Sequence, residues 1–541
     1  MKRTVSDVLV IGSGFGGALA ASHLLDAGYR VRMLERGNWL DRSRSSAPRG
    51  PADLDCFFDV PIPHRLGKGG NGPVPDDQAN VGGPSVYFAA VSSRFRARDF
   101  EPAPEIVTDS GAAWPFGYDE LRPFYDEAEQ ILGVAGPAWG GVTEPPHGSG
   151  YPQDLIPLSR ISRRLQAAAE RLGHRPFRLP LAINYRRHDD RRPCEACAFC
   201  DGLPCLVGAK NDIAHRVLPT LLRRGLLLEP GTTATRLVAR RGRVTEVEAR
   251  DTNTGEPSRH VADTVVLAAG AVATPTLVLA SGLEASNPAG DLVGRFLMRH
   301  CNAHVFGLFW RRPDRERRFH KELGLDDFYF GHPSVTEPAG KLGMVQQMAT
   351  PWVALVLLPR FVARAAAPLL EHLSGLLVMA EDQPQRGNRV LLDGVPGNGS
   401  PRARIVYQHS ARDLAARQAL IRKAKEVLRE AGAPARIVFP LNTFSHAVGT
   451  MRMGTDPAGS VLDGTGRYRG MENLYVADGS VMPTSGGVNP SLTIAATALR
   501  TARHIAMAAG RATERKEAST PRPRLLPILT MGPDSGARGD P

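Results

Sequence analysis

Three groups of residues in this sequence have the types and spacing to do chemistry. The first is His446, set in Ser445-His446-Ala447-Val448-Gly449-Thr450, a titratable ring among small residues and a glycine that lets the chain turn sharply. Imidazole titrates near neutrality and can serve as a general base, although a single histidine is more often packed or solvated. The second is Gly12, Gly14 and Gly17, a G-x-G-x-x-G pattern that can cradle phosphates. The third is Cys194, Cys197, Cys200 and Cys205, four of the six cysteines within twelve residues. Their C-x2-C-x2-C-x4-C spacing lacks the two separated C-x2-C knuckles of a zinc ribbon. It is nearer to a bacterial ferredoxin loop, but the last gap is one residue longer and Pro204 precedes the final cysteine instead of following it. An iron–sulfur cluster, a zinc ion and a metal-free loop all stay open. Cys56 and Cys301 read as packed thiols.

Residues 7–37 read as a strand, a tight turn, a helix and a second strand. A short apolar run at 8–11 meets the glycines; Leu19, Ala20, Leu24 and Leu25 then recur at helical spacing, and Gly28 closes the helix. In this setting the first glycine permits the turn, the second admits a pyrophosphate, and the third lets helix and strand approach. Glu35 ends the second strand 18 residues after Gly17, where a carboxylate can hold ribose hydroxyls and disfavour a 2′-phosphate. The fingerprint leaves NAD and FAD open. Two more strand–helix signals lie at 264–283 and 474–508, so one nucleotide-binding sheet is scattered over the chain with a second domain inserted. The fold expected is α/β: a Rossmann-like domain assembled from discontinuous segments 1–110, 200–300 and 465–510, with an inserted α+β substrate-binding domain over 301–464. Residues 111–199 would form a connecting or cap region and begin the cysteine loop, and 511–541, rich in Pro, Gly and Arg, would be a mobile tail.

The 541 residues exceed one core, and 42% hydrophobic with 23% charged residues is ordinary for a globular protein. The net charge of +12 raises nucleic acid as a partner, but the basic runs at 186–193 and 311–318 are broken by acids and lack interleaved aromatics, so none is expected. No secretory leader opens the chain, and the apolar stretch 350–380 is interrupted by Pro359, Arg360, Arg364, Pro368 and Glu371. No integral membrane segment is therefore expected, and a cytoplasmic location is. The 350–380 stretch reads as core or a dimer contact in preference to the lining of an apolar pocket or a membrane-facing surface.

Beyond single motifs, "HAVGTMRMG" followed by "ADGSVMPTSGGVNPSLTIAATALRTA" (477–502) resembles the C-terminal signature of the glucose–methanol–choline (GMC) family of FAD-dependent oxidoreductases. "ANVGGPSVYFAAV" (79–91) and "GAVATPTLVLASGL" (270–283) are similar to the two other family signatures, and the segments at 114–136 and 380–393 also read like it. The resemblance implies FAD and an alcohol oxidase or dehydrogenase in which the carbinol hydrogen passes as hydride to flavin N5. It makes His446 and Asn489 the catalytic pair, the imidazole taking the hydroxyl proton and the amide donating to the developing alkoxide. By itself, Asn489-Pro490 would read as a turn or helix start. It further implies that Gly82, Gly83 and Ser85 run along the flavin, and that Asp478 and Gly479 meet its ribityl–pyrophosphate part. Residues 82–87 contain no histidine, so the FAD is expected to be non-covalent.

The family's substrates are varied. A composition heavy in Arg, Ala, Gly and Pro points to a GC-rich bacterial genome, where such enzymes tailor secondary metabolites, and so to a small polar, sugar-like, polyol or aminoglycoside-like alcohol. The electron acceptor would be oxygen or a redox partner. The alternatives are a non-redox lyase of cyanohydrin type on the same fold, and a dehydrogenase of an apolar alcohol or sterol.

Overall fold

Short apolar runs without polar alternation suit strands covered on both faces, and Val8–Ile11, Val265–Leu267 and Leu474–Val476 are all buried. The computed structural model describes residues 2–510 except 43–45, 49–50, 58–70, 75–78, 138–139, 187–190, 319–320 and 396–398. The tail expected from 511 lies outside the described residues.

In the first sheet, the strand Lys2–Ile11 pairs in parallel with Val31–Leu34 on one side and Pro257–Leu267 on the other. Leu474–Val476 joins the far end of Pro257–Leu267, also in parallel. Leu227–Glu229 extends one edge, and the antiparallel pair Thr232–Arg240 and Arg243–Asp251 extends the other. Segments widely separated in sequence thus lie side by side. Helices Phe15–Asp26 and Ser491–Ala508 pack against each other over this sheet, both rich in alanine where they meet. This is the discontinuous Rossmann-like layer anticipated from the sequence.

The second sheet is antiparallel, in the order Ala435–Pro440, Cys301–Leu308, Leu373–Ala380, Gly343–Met348, Leu323–Leu325, Phe177–Arg178. Its strands obey the period of two. Ala303, Val305, Val345 and Val378 face the helix Ala411–Glu430, whose Ala416, Ala419, Leu420, Ala424 and Val427 repeat at helical spacing. A Ser410–Asp413 capping box starts that helix. Neighbouring positions on the sheet, Asn302, His304 and Leu377, turn the other way and line a cavity between the two layers.

The 111–199 stretch, expected to be a connector, contributes the helix Arg160–Arg171 and the edge strand Phe177–Arg178 to this second layer. The apolar 350–380 stretch divides into helices Val353–Val356 and Arg360–Leu370 and the buried strand Leu373–Ala380. Among the described residues no helix is long and apolar enough to cross a membrane.

Candidate active site

At one end of the cavity the main chain does the shaping. Gly12 has φ 107°, and a Cβ there would stand 2.4 Å from the Ala268 carbonyl oxygen. A Cβ on Gly17 would stand 2.0 Å from the Gly12 oxygen, and one on Gly16 only 1.6 Å from the Ala477 oxygen. Gly16, not singled out from sequence, is what lets the first helix reach the Leu474–Val476 strand. Gly14 differs: among the described residues nothing beyond its chain neighbours lies within 4 Å of its hypothetical Cβ, and its backbone is an ordinary extended N-cap. Open space before a helix N-terminus, where unpaired N–H groups point outward, fits the pyrophosphate of a dinucleotide.

Glu35 accepts from Ser13 N at 3.0 Å, Ser13 Oγ at 2.6 Å and Gly37 N at 2.9 Å. That uses three of the roughly four acceptor sites of a carboxylate, leaving capacity for a ribose hydroxyl. Ser13 Oγ also accepts from Gly82 N at 2.9 Å, tying the glycine loop to the 82–87 turn. Gly83 and Ser85 line the cavity, whereas Gly82, at φ 86°, sits behind them against Ala214. Asp478 and Gly479 also line it. The Asp478 carboxylate is fully engaged by Gly270 N, Thr274 Oγ1, Ser480 N and Ser480 Oγ, at 2.5–2.8 Å. It therefore braces the turn and has no acceptor site left for a ribityl hydroxyl; burial raises its pKa despite the four donors.

The cavity, about 870 Å³, runs from this loop to His446 and Asn489, within the span of small-molecule and cofactor sites. Here side chains do the shaping. His300, 2% exposed, places Nε2 3.0 Å from the Ser485 oxygen and 2.8 Å from the Gly486 oxygen. Carbonyls only accept, so His300 Nε2 carries the proton. Burial lowers the His300 pKa and keeps the ring neutral, so Nδ1 is a bare acceptor. It lies 2.9 Å from His446 Nδ1, which must therefore donate, leaving His446 Nε2 without a proton. That nitrogen is 3.4 Å from Asn489 Nδ2.

Asn489 is fixed in turn by Gln346, whose Nε2 donates to Asn489 Oδ1 at 2.6 Å, so its N–H groups face the imidazole. The loop before it is held from behind. Gly486 N donates to Glu381 at 3.0 Å, Gly487 N to the Tyr329 hydroxyl at 2.6 Å, and Ser485 Oγ to Asp382 at 2.7 Å. The buried Asp382 also accepts from Arg299 N and His300 N, holding His300 at φ 62°. The two glycines are obligatory: a Cβ on either would lie 2.7 Å from the ring of Phe95 or Tyr329. His446 opens to the cavity on one side and is enclosed on the others. Burial first, then His300 and Lys321, holds its pKa well below the ordinary value of 6.5.

The sequence reading found His446 and Asn489, which the fold brings together. It missed His300, Gln346 and Asp382. Nothing near His300 distinguishes it from the other fourteen of the chain's 15 histidines; only its carbonyl partners do.

The cysteine loop is organised differently. All four thiols are free; Cys197 and Cys200 hydrogen-bond, lowering the Cys197 pKa to about 7 and raising that of Cys200. Burial pushes Cys194 up to about 12. Among the described residues, the group of three or more His, Cys, Asp or Glu ligand atoms within 4.8 Å of one another is Asp126, Glu129 and His147, and it includes no cysteine. Arg94 Nη2, 2.6 Å from both carboxylates, occupies that cluster as an ion pair. The cysteine loop is pinned instead by the buried Lys210 ammonium, which donates to the carbonyls of Phe88, Cys200 and Leu203 at 2.7–3.1 Å.

Two family models, each described as GMC oxidoreductase, match residues 81–302 and 384–498. The chain is 33% identical over 532 residues to the 6'''-hydroxyparomomycin C oxidase of Streptomyces lividus, covering 94% of this chain and 93% of that protein. It is 33% identical over 528 residues to the paromamine 6'-oxidase of Streptomyces fradiae, covering 93% and 91%. Among solved structures, pyridoxine 4-oxidase from Mesorbium loti superimposes with a TM-score of 0.63 at 20% identity, over 92% of this chain and 98% of that one.

Proposed function

The chain belongs to the GMC oxidoreductase family and is an FAD-dependent alcohol oxidoreductase; from that premise we propose that it oxidises a hydroxyl group of an aminoglycoside-like amino sugar, with His446 as general base. The observation that carries the base assignment is the unprotonated His446 Nε2, facing the Asn489 amide across the cavity that begins at Gly14. The substrate class is carried by the two aminoglycoside oxidases that match nearly the full chain.

FAD, when bound, supplies the two-electron acceptor. Gly12, Gly14 and the helix N-terminus would hold its pyrophosphate, Glu35 a ribose, and Gly83 and Ser85 would run beside the flavin. His446 Nε2 takes the proton of the substrate hydroxyl, its Nδ1–H remaining on His300 before and after the transfer. Asn489 donates an N–H to the same oxygen as negative charge develops there, without competing for the proton. The 3.4 Å between His446 Nε2 and Asn489 Nδ2 is long for a hydrogen bond, so little is lost when a substrate oxygen engages both. The cofactor is bound non-covalently, since residues 82–87 offer no histidine; acid precipitation should leave the flavin in the supernatant.

Anaerobic mixing of the holoenzyme with paromamine, followed at the flavin absorbance, tests the reading. Bleaching in the wild type that slows about 10²–10³-fold in Asn489→Ala supports it. An unbleached flavin with amino sugars, alongside bleaching by unrelated alcohols, would refute the substrate class.

A further inference from the structure

The hydrogen-bond relay through His300, His446 and Asn489 leaves a second set of polar groups in the cavity unbonded to it. Lys321 is 3% exposed, yet among the described residues the acceptors at its ammonium are the weak Met348 Sδ at 3.4 Å and Asp201 Oδ2 at 3.6 Å, the latter an ion pair beyond hydrogen-bond reach. Asp201 Oδ2 is itself buried without a hydrogen-bond partner, and so is Oδ1 of Asn302, a residue 6% exposed. All three side chains line the cavity that holds His446. They come from three places: the cysteine loop pinned by Lys210, the approach to the Leu323–Leu325 strand, and the Cys301–Leu308 strand. Buried polar atoms are rarely left unpaired, and a charged pair set slightly too far apart inside an active cavity is shaped for something between its members.

The chemistry of the set narrows what that is. A simple alkyl alcohol would leave all three groups unpaired once water is displaced. A carboxylate would suit Lys321 but meet Asp201, and a lone ammonium would suit Asp201 but meet Lys321. A hydroxyl fits both, accepting from an ammonium N–H and donating to a carboxylate or carbonyl oxygen. Two neighbouring hydroxyls on a ring carry the donors and acceptors that Lys321, Asp201 and Asn302 lack, and leave a third for His446 in the same cavity.

We propose that Lys321, Asp201 and Asn302 form a subsite that recognises adjacent hydroxyl groups on the ring of the substrate, orienting a different hydroxyl toward His446. The subsite rests on the alcohol-oxidation reading above and deepens it: what is read is the diol, and the amino group of an amino sugar is not needed there.

The test compares kcat/KM for paromamine and an analogue lacking the ring hydroxyls, and for a hexose with its matching deoxy form, in wild type, Lys321→Met and Asp201→Asn. Flavin content is checked in each; Asn302→Leu replaces any variant that loses its FAD. A site that hydrogen-bonds a substrate hydroxyl rejects analogues without it by about 10²-fold or more, and that preference should shrink at least about tenfold in each variant, mainly through KM. A preference equal in wild type and variants, or a wild type indifferent to the hydroxyls, overturns the subsite. Should the hexose bleach the flavin and paromamine fail to, the amino-sugar reading falls and the subsite is judged on the hexose pair. Bleaching by 1-butanol as fast as by either polyol overturns the subsite while leaving alcohol oxidation standing.

Discussion

The two ends of the cavity are built by different rules. At the glycine loop, residues 12–17, the four glycines do most of the work, and they do it by lacking side chains: three hypothetical Cβ atoms collide with main chain, and the fourth would occupy the space left for a ligand. At the His446 end the work is done by side chains of His300, Gln346, Asp382, His446 and Asn489, which no local segment brings together. Binding a phosphate takes main-chain donors and room, which a short turn supplies. Setting the proton inventory of a base takes a chain of donors and acceptors of fixed direction, which only a tertiary network supplies.

Substitutions at the two ends should therefore fail in different ways. Gly14→Ala is expected to have the largest effect: its backbone tolerates alanine and no protein atom obstructs the methyl, so the chain should fold with unchanged circular dichroism yet purify without yellow flavin. Retained FAD would place the pyrophosphate elsewhere. His446→Ala should do the reverse, keeping the flavin spectrum while anaerobic reduction by substrate slows about 10²–10⁴-fold.

His300→Asn, chosen because asparagine tolerates a left-handed backbone, removes the acceptor of His446 Nδ1–H. Leaving one buried donor unpaired costs about 1–3 kcal/mol, about one to two decades in kcat/KM, with the pH profile of the base displaced as well. A loss of thermal stability with an unmoved pH profile would make His300 merely structural. The smallest effect is in the wild type. Because burial depresses the His446 pKa, its base form persists as pH falls, and the acid limb of kcat/KM should lie below pH 6.5. Activity is lost only as pH drops through that lowered value and Nε2 gains a proton; a limb above 6.5 would contradict the desolvated site.

Much of this molecule was legible beforehand because its signals are local or carried by motif. The strand–glycine–helix run at 7–37 and Glu35 follow from spacing, and His446 and Asn489 from family signatures. Asp478 was legible as a position but not in its role, since two of the four protein donors that exhaust its carboxylate, Gly270 N and Thr274 Oγ1, lie more than two hundred residues earlier in the chain. The cysteine spacing left an iron–sulfur cluster, a zinc ion and a metal-free loop open, because spacing along a chain does not fix where sulfurs point; the loop itself is pinned by Lys210. The 111–199 stretch reads from sequence as a connecting or cap region; that it adds a strand to the second sheet was not legible, because the two-residue edge strand Phe177–Arg178 has no periodicity to read.

The sequence by itself determined that a dinucleotide crevice would form, because glycine conformational freedom and hydrophobic periodicity act over a few residues, whereas His446 and Asn489 were legible only through the family resemblance of the segments that hold them. Only the tertiary structure decided which imidazole nitrogen is bare. That depends on two carbonyls at Ser485 and Gly486 meeting His300 from almost two hundred residues away, and a hydrogen bond's direction exists only once both partners are in place.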